Sequence, residues 1–191
     1  MWRPLARSPR TLEAASLLVL GVAWLLRFPV HFALTHTYLM TFDVYRAVAE
    51  RILDGGAARL YDPTLSSTAL FKYAPLWALA WAPLGWIPPH AGAVLWTAAG
   101  VALLLTTLIL CSRLCRRLGV PYHPLTAVAA TVLLVRPLTA EFLNGQVNLL
   151  WGLLVLGFLL GEAGRRPWLA ALSLALAISL KLPALIVFAY L

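Results

Sequence analysis

Residues 36–73 read HTYLMTFDVYRAVAERILDGGAARLYDPTLSSTALFKY, a polar interlude in a chain that is otherwise apolar. Four of the seven acids fall inside it: Asp43, Glu50, Asp54 and Asp62. The whole chain is 62% hydrophobic and only 12% charged, with a mean hydropathy of +0.85. Soluble domains carry about 25% charged residues, so the composition is that of an integral membrane protein. In lipid every backbone polar group must be satisfied internally, which leaves helices or closed barrels. Long Leu/Ala runs without period-2 alternation select helices. The expected fold is all-α, a polytopic transmembrane helical bundle with an amphipathic interfacial helix in the first external loop.

Working outward from the interlude, the apolar runs are about 12–35 before it and 91–111, 125–140, 147–161 and 168–191 after it. Arg27 and Pro29 interrupt the first. Residues 74–88 are apolar and Trp-rich but short of the 17 or so residues a span requires. The arginines decide their role. Arg3, Arg7 and Arg10 place the N-terminus inside, so the first span delivers the interlude to the outside. If 74–88 lies at the interface without crossing, Arg113, Arg116, Arg117, Arg165 and Arg166 all fall inside too. The same topology puts the loop from Arg136 to Asn148 on the side of the interlude. The N-terminal apolar run is too long for a cleavable signal and no small-x-small site closes it. Residues 1–191 are read as one transmembrane domain. Because Leu191 falls inside an apolar run, that domain is expected to be the N-terminal part of a longer multi-spanning protein.

The net charge of +8 does not indicate nucleic acid, because the arginines sit in short loops and not on one face interleaved with aromatics. Cys111 and Cys115, four apart, match no redox or zinc spacing. The four histidines are isolated and the acids too sparse for an oxygen-ligand cage, so no metal and no cofactor are expected.

Three constellations remain. Residues 41–54 have the spacing of an amphipathic helix. Thr41 is expected as N-cap, Gly55-Gly56 as the stop, and Phe42, Tyr45, Val48, Ala49 and Ile52 as a face laid on the membrane. Asp43, Arg46, Glu50 and Asp54 occupy the other face, and Asp43 either serves the helix dipole or carries chemistry. The run EFLNGQVN, 141–148, brings Asn144, Gln146 and Asn148 around Gly145, either as a polar hairpin or as amides for a hydroxyl-rich ligand. Lys181 stands thirteen residues after Trp168, about 20 Å along a helix, with Pro183 behind it. It either snorkels or offers a cation to a phosphate.

In order along the chain, FDVYRAVAERILDGGAARLYDP, FKYAPLWALAWAPLGWIPP, NGQVN and Lys181-Leu182-Pro183 resemble the polyprenyl-phosphate-sugar-dependent glycosyltransferases of family 87. The resemblance covers about residues 41 to 184. It implies the GT-C architecture, with a site facing away from the cytoplasm. It also implies transfer of a hexose, mannose foremost, from a polyprenyl-phosphate sugar to a lipid or glycan acceptor, with inversion at the anomeric carbon. In such enzymes an Asp of the first external loop is the general base, and here Asp43 is the candidate. The family's Asp stands four residues before the Tyr; in this chain that position is Thr41, while Asp43 is two before Tyr45, about 200° around a helix. Asp43 therefore takes the role, or the base is absent. Lys181 and Arg136 are expected to attract the donor phosphate, and Asn144, Gln146 and Asn148 to orient the sugar. Tyr45, Arg46, Lys72 and Tyr73 complete the expected substrate contacts. The implied place is a bacterial plasma membrane, multi-pass, with membrane lipids as neighbours and the active face external. The rival reading is a non-enzymatic membrane protein, a transporter half or assembly subunit, or an inactive truncated transferase; it has no internal repeat in its favour.

Overall fold

The computed structural model describes residues 9–35, 39–62, 71–123 and 125–184. Arg3 and Arg7, which entered the topology argument, and residues 63–70 of the interlude lie outside them. The described residues are overwhelmingly helical and contain no strand. The protein is an all-α helical membrane protein. Two helical stretches, Thr11–Thr35 and Pro89–Arg117, are long and apolar enough to cross a membrane.

The first stretch is α1 (Pro9–Leu25), a π-helical turn over Leu26–Val30, and α2 (His31–Thr35). Pro29 lies inside the π turn. Proline donates no N–H and crowds the preceding turn, so the helix opens there without ending. Next comes α3 (Met40–Leu53), the helix read from the interlude. Thr41 does not cap it. Leu39, extended at φ −108° and ψ 101°, stands at the N-cap and gives no side-chain cap bond. The stop is as expected: Gly55 turns left-handed at φ 74°, and Gly56 N–H donates to the Arg51 carbonyl at 2.8 Å.

What covers the apolar face of α3 differs from the expectation. Phe42, Tyr45, Val48 and Ala49 are at most 1% exposed, so the face is buried in protein and not laid on lipid. The cover is α4 (Pro75–Trp81) and the 3-10 turn Ala82–Trp86 that follows it. Seven α-helical residues span about 10 Å, too little to cross. Tyr45 packs on Trp81, Trp96 and Tyr73 with ring centroids 4.2, 5.2 and 5.8 Å away. Burying rings of this size outweighs what an exposed apolar face gains at an interface.

The long α5 (Pro89–Arg117) follows, antiparallel to α1. An ion pair between Arg116 and Glu13 at 3.1 Å puts the α5 arginines beside the start of α1. Arg117 donates to the Leu160 carbonyl at 3.2 Å near the end of α8 (Asn148–Ala163). The basic ends thus gather at one end of the bundle.

The run at 125–140, read as one span, is two helices, α6 (Thr126–Leu133) and α7 (Val135–Asn144), bent by 68°. Pro137 explains the break, because in a continuous helix its ring meets the carbonyl four residues back, at Leu133. The last run also stops early. Helix α9 (Pro167–Leu180) ends at Lys181, which is extended at φ −148° and ψ 123°. Pro183 cannot donate to the Ser179 carbonyl, and the Ala74 N–H takes that acceptor at 3.5 Å. Lys181 therefore stands at a helix end and not within a helix.

Candidate functional site at the polar end of the bundle

The turn between α7 and α8 is built around Gly145. Its φ of 64° and ψ of 38° are left-handed, a conformation glycine adopts without strain. Gly145 N–H donates to Phe142 O at 3.3 Å and Gln146 N–H to Glu141 O at 3.1 Å, the paired bonds of a helix-ending glycine turn. Space makes the same demand. A Cβ here would lie 3.0 Å from Phe42 Cβ and 3.1 Å from Leu39 Cβ. The turn thus abuts the N-terminus of α3, and Trp96 Nε1 locks it by donating to the Gly145 carbonyl at 3.0 Å.

Around that turn lies a bonded polar network. Glu141 is only 7% exposed. One of its oxygens accepts from Asn148 Nδ2 at 2.6 Å and the other from the Leu149 backbone N–H at 3.1 Å. Asn148 Nδ2 also donates to Gln146 Oε1 at 2.5 Å, and Asn148 Oδ1 accepts from Lys181 Nζ. Three helices are joined: the end of α7, the start of α8 and the end of α9.

Sequence reading missed Glu141, although a signal was present. An acid in the last turn of a helix faces the negative end of the dipole, which disfavours it. Such a residue needs donors, and the opening N–H groups of α8 supply them.

Lys181 also lines a cleft of about 790 Å³ with Tyr61, Phe71, Lys72, Tyr73 and Ser179. Tyr61 Oη donates to the Tyr73 carbonyl at 2.7 Å, and Trp77 Nε1 donates to Ser179 Oγ at 3.1 Å. Tyr45, expected at the substrate, is fully buried beneath this cleft. Its hydroxyl lies 3.1 Å from that of Tyr73, so it fixes Tyr73 from below. Burial, reinforced by that bond, raises its phenol well above the ordinary range.

Asp43 sits in the first turn of α3, next to the Phe42 that packs on Gly145. It is half-buried, and among the described residues its carboxylate makes no hydrogen bond or ion pair. Burial raises its pKa above 3.8, with the Arg46 charge opposing. Arg46 pairs with Glu50, and its buried Nε has no acceptor among the described residues. Asn144 closes α7, half-buried. Arg136 stays apart: exposed on the first turn of α7, it stands eight residues and about 12 Å along the helix from Asn144.

A carboxylate with no partner among the described residues, a tethered ammonium and a set of amides at one end of the bundle can take a proton, hold an anion and bind hydroxyls.

The comparisons with known proteins converge. The model of glycosyltransferase family 87 matches residues 71–191, a segment that contains the turn and Lys181 but not Asp43. Over 76% of this chain, 30% of residues are identical to a Mycolicibacterium smegmatis protein named polyprenol-phosphate-mannose-dependent alpha-(1-2)-phosphatidylinositol mannoside mannosyltransferase. A Mycobacterium tuberculosis protein of the same name is 30% identical over 77% of the chain. The chain spans 36% and 38% of the length of these two relatives. No solved structure matches.

Proposed function

Because this chain belongs to glycosyltransferase family 87, we propose that it forms part of an integral-membrane glycosyltransferase that moves mannose from a polyprenyl-phosphate donor to a glycolipid or glycan acceptor. The names of the two mycobacterial relatives supply the donor, the sugar and the lipid character of the acceptor. The observation that carries the reading is the bond from Lys181 to Asn148, which holds a cation over the amide-lined turn beside α3. The reaction face is the end of the bundle opposite the arginine clusters, external in a multi-pass arrangement.

In this reading Asp43 takes the proton of an acceptor hydroxyl as its oxygen attacks the anomeric carbon. The bond from that carbon to the phosphate oxygen breaks, and polyprenyl phosphate leaves with the electron pair. The configuration inverts because attack and departure are on opposite faces. Lys181, and with it Lys72 across the cleft, meets the charge that develops on the phosphate. Asn148 and Gln146 present amides to sugar hydroxyls, and Asn144 offers a further donor. Tyr73 walls the cleft, held by Tyr45. Arg136 is left to attract anionic donors from a distance.

Mannose transfer from labelled polyprenyl-phosphate mannose, measured in membranes carrying the complete gene product, tests this. Asp43→Asn is expected to lower transfer by about 10²–10⁴-fold, the range of a lost general base. Lys181→Met is expected to raise the donor KM more than it lowers kcat. Wild-type transfer by Asp43→Asn would remove Asp43 as the base. Absence of any hexosyl transfer by the unaltered protein would overturn the reading as a whole.

A further inference from the structure

A second cavity, of about 320 Å³, opens between α1 and the α6–α7 pair. Trp24, Arg27, Phe28, Thr131, Val135 and Thr139 line it. It shares no lining residue with the Lys181 cleft. Two irregular pieces of backbone meet here. Arg27 and Phe28 come from the π turn Leu26–Val30, and the 68° break at Leu134 falls between Thr131 and Val135. At membrane depth, irregular backbone is tolerated where it is buried in protein or lines a cavity, and π turns recur at functional sites.

Arg27 belongs to the apolar stretch Thr11–Thr35. Among the described residues its guanidinium makes no ion pair or hydrogen bond, only a contact with the Phe28 ring at 5.6 Å. A charge in a span costs several kcal/mol unless it meets a partner or reaches the interface. The acid on the same helical stretch, Glu13, is engaged with Arg116, and Glu141 of α7 is engaged with Asn148 and Leu149. Arg27 lies eight residues before Thr35, so about 12 Å of helix separates it from the end next to α3. The 25-residue stretch is about 37 Å long, longer than the roughly 30 Å hydrocarbon core. The guanidinium is therefore within snorkelling reach of the headgroups on that side. Among the described residues the Thr139 hydroxyl has no partner.

We infer that this cavity binds an anionic membrane phospholipid, its phosphate paired with Arg27 and an acyl chain lying along Trp24 and Val135. A planar guanidinium offers two parallel N–H donors to phosphate oxygens. The apolar walls match a lipid tail and would reject a free inorganic anion.

The test uses the complete protein, purified in detergent and titrated with phosphatidylglycerol or with phosphatidylcholine of the same chains. Native mass spectrometry reads the bound lipid, and the unfolding midpoint in phosphatidylcholine alone checks each variant's fold. The unaltered protein should prefer phosphatidylglycerol at least tenfold. Arg27→Gln should abolish that preference. Ala23→Phe, which fills the cavity from an exposed lining position and leaves the charge in place, should abolish it as well. Lys181→Met should leave it unchanged. Equal binding of the two lipids, or an undiminished preference in Ala23→Phe, overturns the inference. So does an Arg27-dependent site that accepts polyprenyl phosphate and rejects phosphatidylglycerol.

Discussion

Asp43 and Glu141 are carboxylates on two helices that touch, and they are held in opposite ways. Glu141 has both oxygens committed, one to the Asn148 side chain and one to the first turn of α8. Asp43, half-buried one residue from the contact with Gly145, has neither committed among the described residues. A carboxylate whose lone pairs are filled by the fold supports architecture. One that the fold desolvates and leaves unfilled keeps its lone pairs for an incoming proton. The pair therefore divides one polar end of the bundle into a part committed to its shape and a part the described residues leave open.

That division breaks most visibly at Glu141. Glu141→Ala leaves the Leu149 N–H without its acceptor and the Asn148 amide with Gln146 alone, beside a buried turn. The expected loss is about 3 kcal/mol of stability, read as a lowered unfolding midpoint in detergent. Glu141→Gln, which can still accept one bond, should lose roughly half as much. Unchanged stability in the alanine variant would mean that the network is ornament and the contrast false.

Asp43 should behave with the opposite sign. Burial raises its pKa, so the folded protein holds the proton more tightly than the unfolded chain. Stability is then lost as pH rises from 3.8 through the raised value, where the folded protein must carry an ionised Asp43. Asp43→Asn should accordingly unfold at a slightly higher temperature than wild type at pH 7, and at the same temperature below pH 3.8. A lowered midpoint at pH 7 would assign Asp43 a structural partner and erase the distinction from Glu141.

The smallest effect expected is at Thr41. A true N-cap loses about 1 kcal/mol on replacement by alanine. With Leu39 at the cap position, Thr41→Ala should change stability by less than about 0.5 kcal/mol.

These residues also mark how far the sequence could be read. The membrane class, the two long spans, α3 and its glycine stop followed from composition, periodicity and φ requirements that act locally. The reading of 74–88 as a non-crossing segment rested on arginine bookkeeping, and the short α4 and the Arg116–Glu13 pair are consistent with it. What failed depended on neighbours. The apolar face of α3 was legible, but its cover of Trp81 and Trp96 comes from residues far along the chain. Thr41 lost the cap because tertiary packing of Leu39, 0% exposed, fixed where the helix begins. The bend at Pro137 was readable from the proline alone and was overlooked. At the site, the link from the NGQVN turn to Lys181 matched the grouping proposed from sequence, whereas Arg136 stood apart and Tyr45 lay too deep. Glu141 escaped because its meaning lies in donors from the next helix.

The bond from Trp77 to Ser179 joins residues 102 apart. At synthesis rates of about 5–20 residues per second, Trp77 waits roughly 5–20 s for its partner to be made. Through that interval the short α4 has no α9 to rest on, and the wall of the cleft is unfinished. Assembly of the polar end therefore waits until α9 has been made.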